Sequence, residues 1–537
     1  MNTMQSMVSW AARHKRTLVH LAYVAALAVT PVVHAADQPV LEVKRFIIEG
    51  DNPLSEAETQ AILRPFLGPH GSLSTLEEAA NALQEAVREK GNSFHRVIVP
   101  AQQPTAGELR LRVLPFLLDQ VTVTGNQYFS VDNIRRSMPG LKPGTAPNVK
   151  QLGQQLSLAN EHPSKRVTLQ IKEGAKADAV DAELRVADVH PSQFFLGLIG
   201  GTRDFDNTLN HNTGYTRLTL GYQNSNLFNR DHTLTLAYTT SPERVSNVTQ
   251  LGVFYTVPFY GLNTMLTGYY THSDVDSGTV GLGSQSFDVS GSGEFYGLRA
   301  TYLLPRLGEA TQNVSVAVDS RYFESNVAFL GTPLPESTVG SRPLTFRYAA
   351  RMERDQGAYA GFAEYSRNLG GGRANDDISY SAARTGADSN WEAYRYGLDA
   401  TYSFGARWSL NGRFRGQYAN QPLIPGEQIG IAGMTAVRGF REREITGDKG
   451  YFVNLEANGP PIFDIAPFLF YDFGGRTHVV SVIGSSPREH IASAGAGLRW
   501  KWRRVDLNLS YAHVLEGVAG GTPRDHDKLH FSAFYRF

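Results

Sequence analysis

The sequence predicts an all-β transmembrane barrel of about 16 antiparallel strands, preceded by two small α+β domains. Three observations support this prediction. A short apolar stretch opens the chain, two segments with one shared order of strands and helices follow, and apolar and polar residues then alternate to the end. Such strands place every second side chain on lipid and the others in a wet lumen. The expected divisions are residues 1–36, 37–115, 116–190 and 191–537.

Composition limits the functions that are open to the chain. With 51 basic and 51 acidic residues among 537, no excess of positive charge is available to attract nucleic acid. Cysteine is absent, which excludes disulfides, thiolate metal sites and catalytic thiols. The 52 glycines, 24 tyrosines and 28 phenylalanines favour a turn-rich, aromatic β-protein. We therefore expect no nucleic-acid partner, no metal and no cofactor.

Residues 1–36 have the pattern of a secretory signal peptide. Basic residues at 13–16 precede the apolar run TLVHLAYVAALAVTPVV, and the small residues of VHAAD predict cleavage after Ala35 or Ala36. A membrane anchor is the alternative, but the run is short and is interrupted by a histidine and a proline. No later stretch is long and continuously apolar, so a membrane-embedded mature protein requires a closed barrel, which satisfies every backbone hydrogen bond in lipid.

Two segments after the leader repeat one another. FIIEGDNPLS (Phe46–Ser55) and VTVTGNQYFS (Val121–Ser130) each contain a strand, a glycine and a serine suited to cap a helix. In the first segment, STLEEAANALQEAVREKG then predicts a helix with an apolar face made of Leu76, Ala79, Ala80, Leu83 and Val87. The second segment contains the weaker helical pattern VKQLGQQLSLANEHP, and both segments end in two strands. The order strand, helix, helix, strand, strand predicts two α+β domains.

This order resembles that of POTRA domains, the periplasmic modules attached to barrels of the outer-membrane insertase superfamily. The resemblance implies that the sheet edges receive an extended client polypeptide. The physical basis is strand addition, because an exposed sheet edge offers unpaired N–H and C=O groups to any extended chain. The alternative is that the two domains act only as spacers.

From about residue 192 onward the alternation has the period of a β-strand. In DHTLTLAYTT, Leu234, Leu236 and Tyr238 alternate with small or polar residues. In GLRWKWRRVDLNLSYAHVL, two strands flank a short basic turn, and Trp500 and Trp502 are placed to join an aromatic girdle. A soluble β-sandwich is the alternative, but such a fold has no need of aromatic residues near the strand ends.

The final segment, KLHFSAFYRF, is the predicted last strand and ends at Phe537. A terminal phenylalanine on such a strand resembles the signal by which outer-membrane barrels are recognised for assembly. The resemblance implies the barrel assembly machinery and outer-membrane lipids as partners. About 346 residues remain for the barrel, and sixteen tilted strands of about 9 to 11 residues each use about 160 of them. The length therefore permits sixteen strands.

A long charged segment interrupts the late strands. It reads QPLIPGEQIGIAGMTAVRGFREREITGDKGYFVNLE, Gln421–Glu456, and is too long for a tight periplasmic turn, so we expect an extracellular loop at about residues 421–450. The segment resembles the sixth extracellular loop of two-partner secretion transporters of the TpsB type, the haemolysin activation/secretion protein family. In that loop a VRGF or VRGY tip folds back into the lumen and a GDxG element follows. The matching residues are Val437, Arg438, Gly439 and Phe440, then Gly447, Asp448 and Gly450.

A second motif of the superfamily, F-x-D-x-G, occurs as FYDFG with Phe470, Asp472 and Gly474. The resemblance implies that Arg438 pairs with Asp472. Because a porin-like lumen is wet, we expect a pair worth roughly 0 to 1 kcal/mol, weak enough to serve as a gate rather than a clamp. The stretch DFDNTLNHNTGYTRLTLGY also resembles the family's first barrel strand, with Asp206, Asn207 and Gly214 in the motif positions.

Two features of the chain bear on pore closure. Described members of the family carry an N-terminal helix that plugs the pore, whereas here only about five residues separate the predicted cleavage site from the strand near Leu41. We therefore expect the folded-in loop to close the pore. The surplus charges that follow the loop tip, residues 441–444, are expected only to be solvated.

Catalytic motifs are missing from the sequence, which contains no G-x-S-x-G elbow, no Walker loop and no H-E-x-x-H. The leading function is a transporter that accepts an unfolded exoprotein, a TpsA-like adhesin or haemolysin, and passes it through the barrel. A factor that inserts other barrels is the alternative, although such relatives usually carry more POTRA modules. A passive solute channel or receptor comes third, because it leaves the two domains without a role.

The location and assembly follow from the same resemblance. We expect a monomer in the outer membrane of a Gram-negative bacterium, with the POTRA domains in the periplasm. The sequence contains no ATP site, so the energy for transport is expected to come from the client folding outside the cell.

Overall fold

A computed structural model of the protein describes residues 41–70, 73–103, 107–201, 216–274, 278–282, 285–289, 292–325, 328–329, 332–333, 337–405, 407–480 and 486–537. The predicted signal peptide and the first-strand motif residues Asp206, Asn207 and Gly214 lie outside this described part of the chain.

The first periplasmic domain is a three-stranded sheet covered by a long helix. Its elements are β1 Leu41–Val43, β2 Arg45–Gly50, α1 Glu56–Leu63, a 3₁₀ turn Arg64–Phe66, β3 Gly68–His70, α2 Leu73–Glu89, β4 His95–Ile98 and β5 Glu108–Pro115. The sheet order is β2–β5–β4, and β1 pairs separately with β3. All five residues of the predicted apolar face of α2 are buried in the domain core, which confirms that prediction.

The second domain has the predicted order of elements. They are β6 Leu117–Thr124, α3 Val131–Arg136, α4 Val149–Asn160, β7 Lys165–Glu173 and β8 Ala179–Asp188, with the sheet order β6–β8–β7. The repeated glycine and serine have the same structural roles in both domains. Gly50 and Gly125 have φ angles of +88° and +81°, which a glycine adopts without strain. Ser55 and Ser130 each accept a backbone hydrogen bond at the start of the following helix.

A closed antiparallel barrel follows. Its strands are β9 Ser192–Gly201, β10 Thr216–Leu227, β11 His232–Thr240, β12 Gln250–Phe259, β13 Thr264–Ser273, β16 Ser292–Leu303, β17 Thr311–Ser325, β20 Ser337–Ser341, β21 Pro343–Arg354, β22 Gly357–Asn368, β23 Glu392–Phe404, β24 Trp408–Tyr418, β27 Lys449–Asn458, β28 Ile465–Thr477, β29 Arg488–Trp502, β30 Val505–Glu516 and β31 Asp527–Arg536. Because β20 and β21 both pair with β17, they are two halves of one strand. The described residues thus form sixteen strands, closed by pairing of β31 with β9, and the predicted strand number is confirmed.

The remaining strands and the remaining α-helix of the described residues lie in the loops between barrel strands. They are the hairpins β14 Gly278–Leu282 with β15 Gln285–Val289, β18 Ala328–Phe329 with β19 Thr332–Pro333, and β25 Ile429–Gly430 with β26 Thr446–Gly447, together with helix α5 Asp377–Ala383. These elements are at the end of the barrel opposite the two periplasmic domains.

Side chains alternate across the barrel wall as predicted. Leu236 and Tyr238 on β11 are exposed on the outer face, whereas Thr235 between the outer positions is buried. Trp500 and Trp502 stack with their ring centroids 5.9 Å apart on the outside of β29. Lipid contact explains these large apolar side chains on the outer surface. Among the described helices, none has both the length and the apolarity needed to cross a membrane.

The second domain and the periplasmic turns of the barrel share one core. Lys165 Nζ lies 2.6 Å from Asp231 Oδ2, in the turn between β10 and β11, and both side chains are almost fully buried. Asn133 Nδ2 donates to Asp231 Oδ1 at 2.8 Å, and the Tyr260 hydroxyl donates to Oδ2 at 2.6 Å. The apolar core of the domain also includes Leu303 of the barrel. Because this buried carboxylate is fully paired, the second domain is docked firmly on the barrel.

Candidate functional site

The segment that joins β24 to β27 folds back into the barrel lumen. The short pairing of β25 with β26 closes its base as a hairpin. Inside that hairpin the backbone turns again, since Gly433 N–H donates to the carbonyl of Val437 at 3.0 Å and Val437 N–H donates to the carbonyl of Ile431 at 3.1 Å. We call residues 421–448 the lumen loop and residues 433–444 its tip.

Apolar packing seats the tip against the wall. Val437 and Phe440 of the VRGF motif are 0% and 1% exposed. They belong to a cluster with Phe452 on β27, Ile491 on β29 and Val514 on β30, to which other loop residues also contribute. The two apolar residues of the motif therefore fix the tip to one side of the lumen, because displacing them exposes that apolar surface to water.

Arg438 is bound by two carboxylates of the wall. Its Nε donates to Asp472 Oδ2 at 2.6 Å and its Nη2 donates to Oδ1 at 2.8 Å, and its backbone N–H also donates to Oδ2 at 3.2 Å. Glu456 Oε1 accepts from Nη1 at 2.8 Å. The guanidinium carbon lies 3.6 Å from the ring centroid of Phe470, an additional cation–π contact. The bidentate geometry with Asp472 is the strongest form of such a pair.

The environment of this pair differs from the expectation of a wet lumen. Arg438 is 7% exposed and Asp472 is 0% exposed. The expected solvation was wrong because the loop brings its own apolar residues with it, and the cluster around Val437 and Phe440 excludes water from the pair. Removing one partner of a buried pair costs about 3–5 kcal/mol, whereas an exposed pair contributes about 0–1 kcal/mol. The contact is therefore strong enough to hold the loop in place.

Gly439 allows the tip to approach the barrel wall closely. Its φ angle is +97°, and a Cβ at this position would lie 3.0 Å from Cγ2 of Val514. Its N–H donates to His530 Nε2 on β31 at 3.0 Å. A side chain here would be strained and would crowd the wall, so glycine is required by both conformation and space.

Asp448 of the GDxG motif ties the base of the loop to its neighbours. It forms a bidentate pair with Arg384, which follows α5, with Nη2 at 2.8 Å from Oδ2. The backbone N–H groups of Leu423 and Val479 also donate to its carboxylate, at 2.9 and 2.8 Å. Burial alone would raise the pKa of Asp448, but these hydrogen bonds outweigh it and hold the pKa below its ordinary range. The carboxylate thus joins three extracellular segments.

Glycines complete the two motifs. Gly447 ends β26, and Gly450 on β27 is opposite Arg476 on β28. Gly474 is opposite Phe452 and lies two residues after Asp472 on β28. The structure thus places both sequence motifs side by side, while Phe537 lies apart from them at the chain end. Its backbone N–H donates to the carbonyl of Phe194 at 2.9 Å, and its side chain is exposed.

The charged residues 441–444, at the end of the tip, also have specific partners. Glu444 accepts from the backbone N–H and hydroxyl of Thr522, at 2.6 and 2.7 Å, and pairs with Arg441 at 2.8 Å. Glu442 accepts from the backbone N–H of Met434, and Arg443 donates to two carbonyls at the start of the loop. The expectation that these residues are merely solvated was therefore wrong. They hold the tip in a compact shape.

Several residues at the site were missed from the sequence. Glu456 and His530 contact the tip, Arg384 binds Asp448, and Glu427 is buried at the start of the loop. Only Glu427 leaves a sequence signal, as a lone carboxylate in the otherwise uncharged stretch QPLIPGEQIGIAGMTAV. Among the described residues, no cluster of three or more His, Asp or Glu is placed to hold a metal ion.

Known proteins share both parts of this architecture. The family model described as haemolysin secretion/activation protein ShlB/FhaC/HecB matches residues 198–500. The model of the ShlB-type POTRA domain matches residues 41–115. The chain is 25% identical to the hemolysin transporter protein ShlB of Serratia marcescens, over 81% of this chain and 75% of that protein. It is 24% identical to the outer membrane transporter CdiB of Dickeya dadantii, over 79% and 73%.

Solved structures agree on the fold. The structure of CdiB from Escherichia coli superposes with a TM-score of 0.70 at 15% identity, covering 96% of this chain and 94% of that chain. CdiB from Acinetobacter baumannii gives a TM-score of 0.68 at 18% identity, covering 95% and 93%. The family consists of outer-membrane transporters whose POTRA domains are periplasmic. With more than half of its length matched by the family model, the chain belongs to the haemolysin secretion/activation family ShlB/FhaC/HecB, the TpsB transporters of two-partner secretion.

Proposed function

We propose that this chain secretes one unfolded exoprotein, a TpsA-like adhesin or haemolysin, through its barrel. The observation that carries the proposal is the lumen loop, which the pair of Arg438 with Asp472 holds in the pore, above a second domain that is docked on the barrel. A pore that is filled by its own loop suits a conduit that opens for a large client. Relatives bear names that point to different cargoes, hemolysin for one and heme/hemopexin for another.

The client is received at the periplasmic sheets. Each domain has a three-stranded sheet with two edge strands, β2 and β4 in the first and β6 and β7 in the second. An edge strand offers unpaired backbone groups, so it binds an extended chain with little demand on sequence. Folding of the client outside the cell then makes its exit irreversible.

Biogenesis adds further partners. The barrel assembly machinery recognises the terminal strand β31 together with Phe537, which follows it, and outer-membrane lipids surround the apolar outer face. We expect the transporter to work as a monomer.

Deletion of the gene tests the function. We expect one exoprotein, encoded in the adjacent reading frame, to disappear from the cell surface and medium. The amounts of other outer-membrane barrels, measured by quantitative proteomics, should remain unchanged. Broad loss of those barrels would contradict secretion as the function and favour a barrel assembly factor. Complementation with the intact gene is the control.

A further inference from the structure

The lumen loop has a second attachment point, eleven residues before Arg438. Glu427 lies in the 3₁₀ turn Pro425–Glu427, and its side chain is fully buried. Its carboxylate accepts from Arg321 Nη1 at 3.0 and 2.9 Å, from Ser341 Oγ at 2.7 Å and from Arg395 Nη2 at 3.1 Å. These donors stand on β17, β20 and β23, so three separate strands converge on one loop carboxylate.

The wall holds these arginines in position without help from the loop. Arg321 Nη2 donates to Asp319 Oδ2 at 2.7 Å, and the Tyr269 hydroxyl donates to the other oxygen of Asp319 at 2.8 Å. Arg395 Nε donates to Gln417 Oε1 at 2.7 Å. Guanidinium groups fixed by such neighbours lose little freedom when they bind a further carboxylate. We call Arg321, Ser341 and Arg395 the carboxylate socket.

Packing next to the carboxylate is equally tight. A Cβ at Gly426 would lie 2.2 Å from the ring of Phe323, so the loop backbone rests directly on that ring. The peptide carbonyl of Glu427 accepts from Gln417 Nε2 at 3.1 Å. Both the side chain and the backbone of this turn are therefore attached to the wall.

The two attachments use different parts of the barrel wall. The tip is bound by β27 and β28 through Arg438 and by β31 through Gly439. In the closed strand order, β17 is nearly opposite β31, whereas β23 is only two strands from β27. The start of the loop and its tip are therefore fixed separately, and release of the tip alone leaves the start attached to the socket.

We propose that Glu427 is a positioning residue for secretion, which holds the start of the lumen loop against the barrel wall through the carboxylate socket and must be released for the client to pass. The part of this proposal that concerns passage of a client rests on the proposed function. The anchoring of the loop does not, and it can be measured on the purified barrel. Nothing in the VRGF and F-x-D-x-G motifs specifies this second anchor, because its residues lie outside both motifs.

The first test substitutes the carboxylate. Glu427→Gln keeps the shape of the side chain and removes its charge, whereas the matched control Glu489→Gln removes the carboxylate that Arg476 binds within the wall. In planar bilayers we expect Glu427→Gln to increase the time spent in large-conductance states by about tenfold, since hydrogen bonds to a charged group are the strong ones. The control should behave as wild type, and heat-modifiable folded barrel should be retained in both.

A milder variant protects the test against misfolding. Ser341→Ala removes one of the donors and keeps the ion pairs, so we expect a smaller change in the same direction. Unchanged conductance in both Glu427→Gln and Ser341→Ala would overturn the proposal.

The second test locks the anchor. Because the chain contains no cysteine, Ser341→Cys/Glu427→Cys provides the only two thiols, which a short reducible bis-thiosulfonate cross-linker can bridge. We expect the bridged barrel to stay closed and to export no client, and reduction to restore conductance and export.

The readouts separate the two proposals. If bridging closes the purified channel while secretion continues, the anchoring role of Glu427 is supported, but its release is not required for passage. That result would also contradict the proposed passage of the client through the lumen. If bridging leaves the conductance of the purified channel unchanged, the anchor proposal fails whatever secretion does.

Discussion

At the scale of single residues, the site is defined by buried carboxylates that each bind an arginine. The ion pairs are Asp472 with Arg438, Asp448 with Arg384, and Glu427 with Arg321. Charge buried in this way is stable only while both partners are present. Each pair therefore acts as an attachment that holds firmly until a competing interaction replaces it.

Arg438→Ala is the direct test of the tip attachment. Loss of the guanidinium leaves Asp472 buried without its main partner, so we expect the seating of the tip to weaken by about 3–5 kcal/mol. Secretion should fall strongly while membrane insertion stays largely intact. Secretion assays and heat-modifiability on gels measure these two outcomes.

Arg476→Ala is the matched control for that variant. Arg476 is paired with Glu489 across β28 and β29 and bridges only the wall. Secretion should survive this change. Loss of folded barrel in Arg438→Ala, but not in Arg476→Ala, would show that the tip pair is structural rather than a gate.

At the scale of elements, the junction between the second domain and the barrel depends on a neutral histidine. His162 Nε2 donates to the carbonyl of Ser225 at 2.7 Å, and its Nδ1 accepts from the backbone N–H of Ser164 at 3.2 Å. If Nδ1 were also protonated, its N–H would point at the N–H of Ser164, and this hydrogen bond would be replaced by repulsion. Burial, and then the charge of Lys165, lower the pKa of His162 from 6.5 to about 4.

Acid should therefore weaken this junction. Because the pKa of His162 is lower in the folded state, its contribution is complete above pH 6.5 and is lost as the pH falls to about 4. The full loss is about 3 kcal/mol at one pKa unit per 1.36 kcal/mol. We expect protease protection of residues 116–190 to fall over this range. In His162→Gln the amide still donates to Ser225 but does not titrate, so protease protection should change less with pH. An equal pH dependence of protection in the variant and the wild type would contradict the assignment of this effect to His162.

The sequence predicted elements well where local pattern decides them. The apolar face of α2 and the order of elements in the second domain follow from periodicity and turn residues, whereas for the sixteen strands of the barrel the length of the chain gave only an approximate number. The proximity of Arg438 to Asp472 came from family resemblance. Their burial could not be predicted, because it depends on where Val437 and Phe440 pack. Nor could the carboxylate socket, whose residues are scattered over three strands.

At the scale of the whole molecule, the lumen loop and the wall together make a closed conduit. The tip, residues 433–444, packs against β27, β29 and β30, and the start of the loop is held by the socket. Deleting the tip should enlarge the single-channel conductance of the purified barrel. An equal-length deletion of residues 278–289, from a different extracellular loop, should leave conductance nearly unchanged. Equal conductance in the tip deletion and the wild type would show that the loop does not limit the pore.

The buried docking of the second domain also sets how the client is delivered. Lys165 and Asp231 fix the β6–β8–β7 sheet beside the periplasmic mouth, so a client segment bound there is confined within a few nanometres of the lumen. Transfer into the pore then becomes an intramolecular step with an effective concentration on the order of millimolar. Weak, sequence-tolerant strand addition is sufficient under such confinement, and rapid release of each segment favours forward movement over retention.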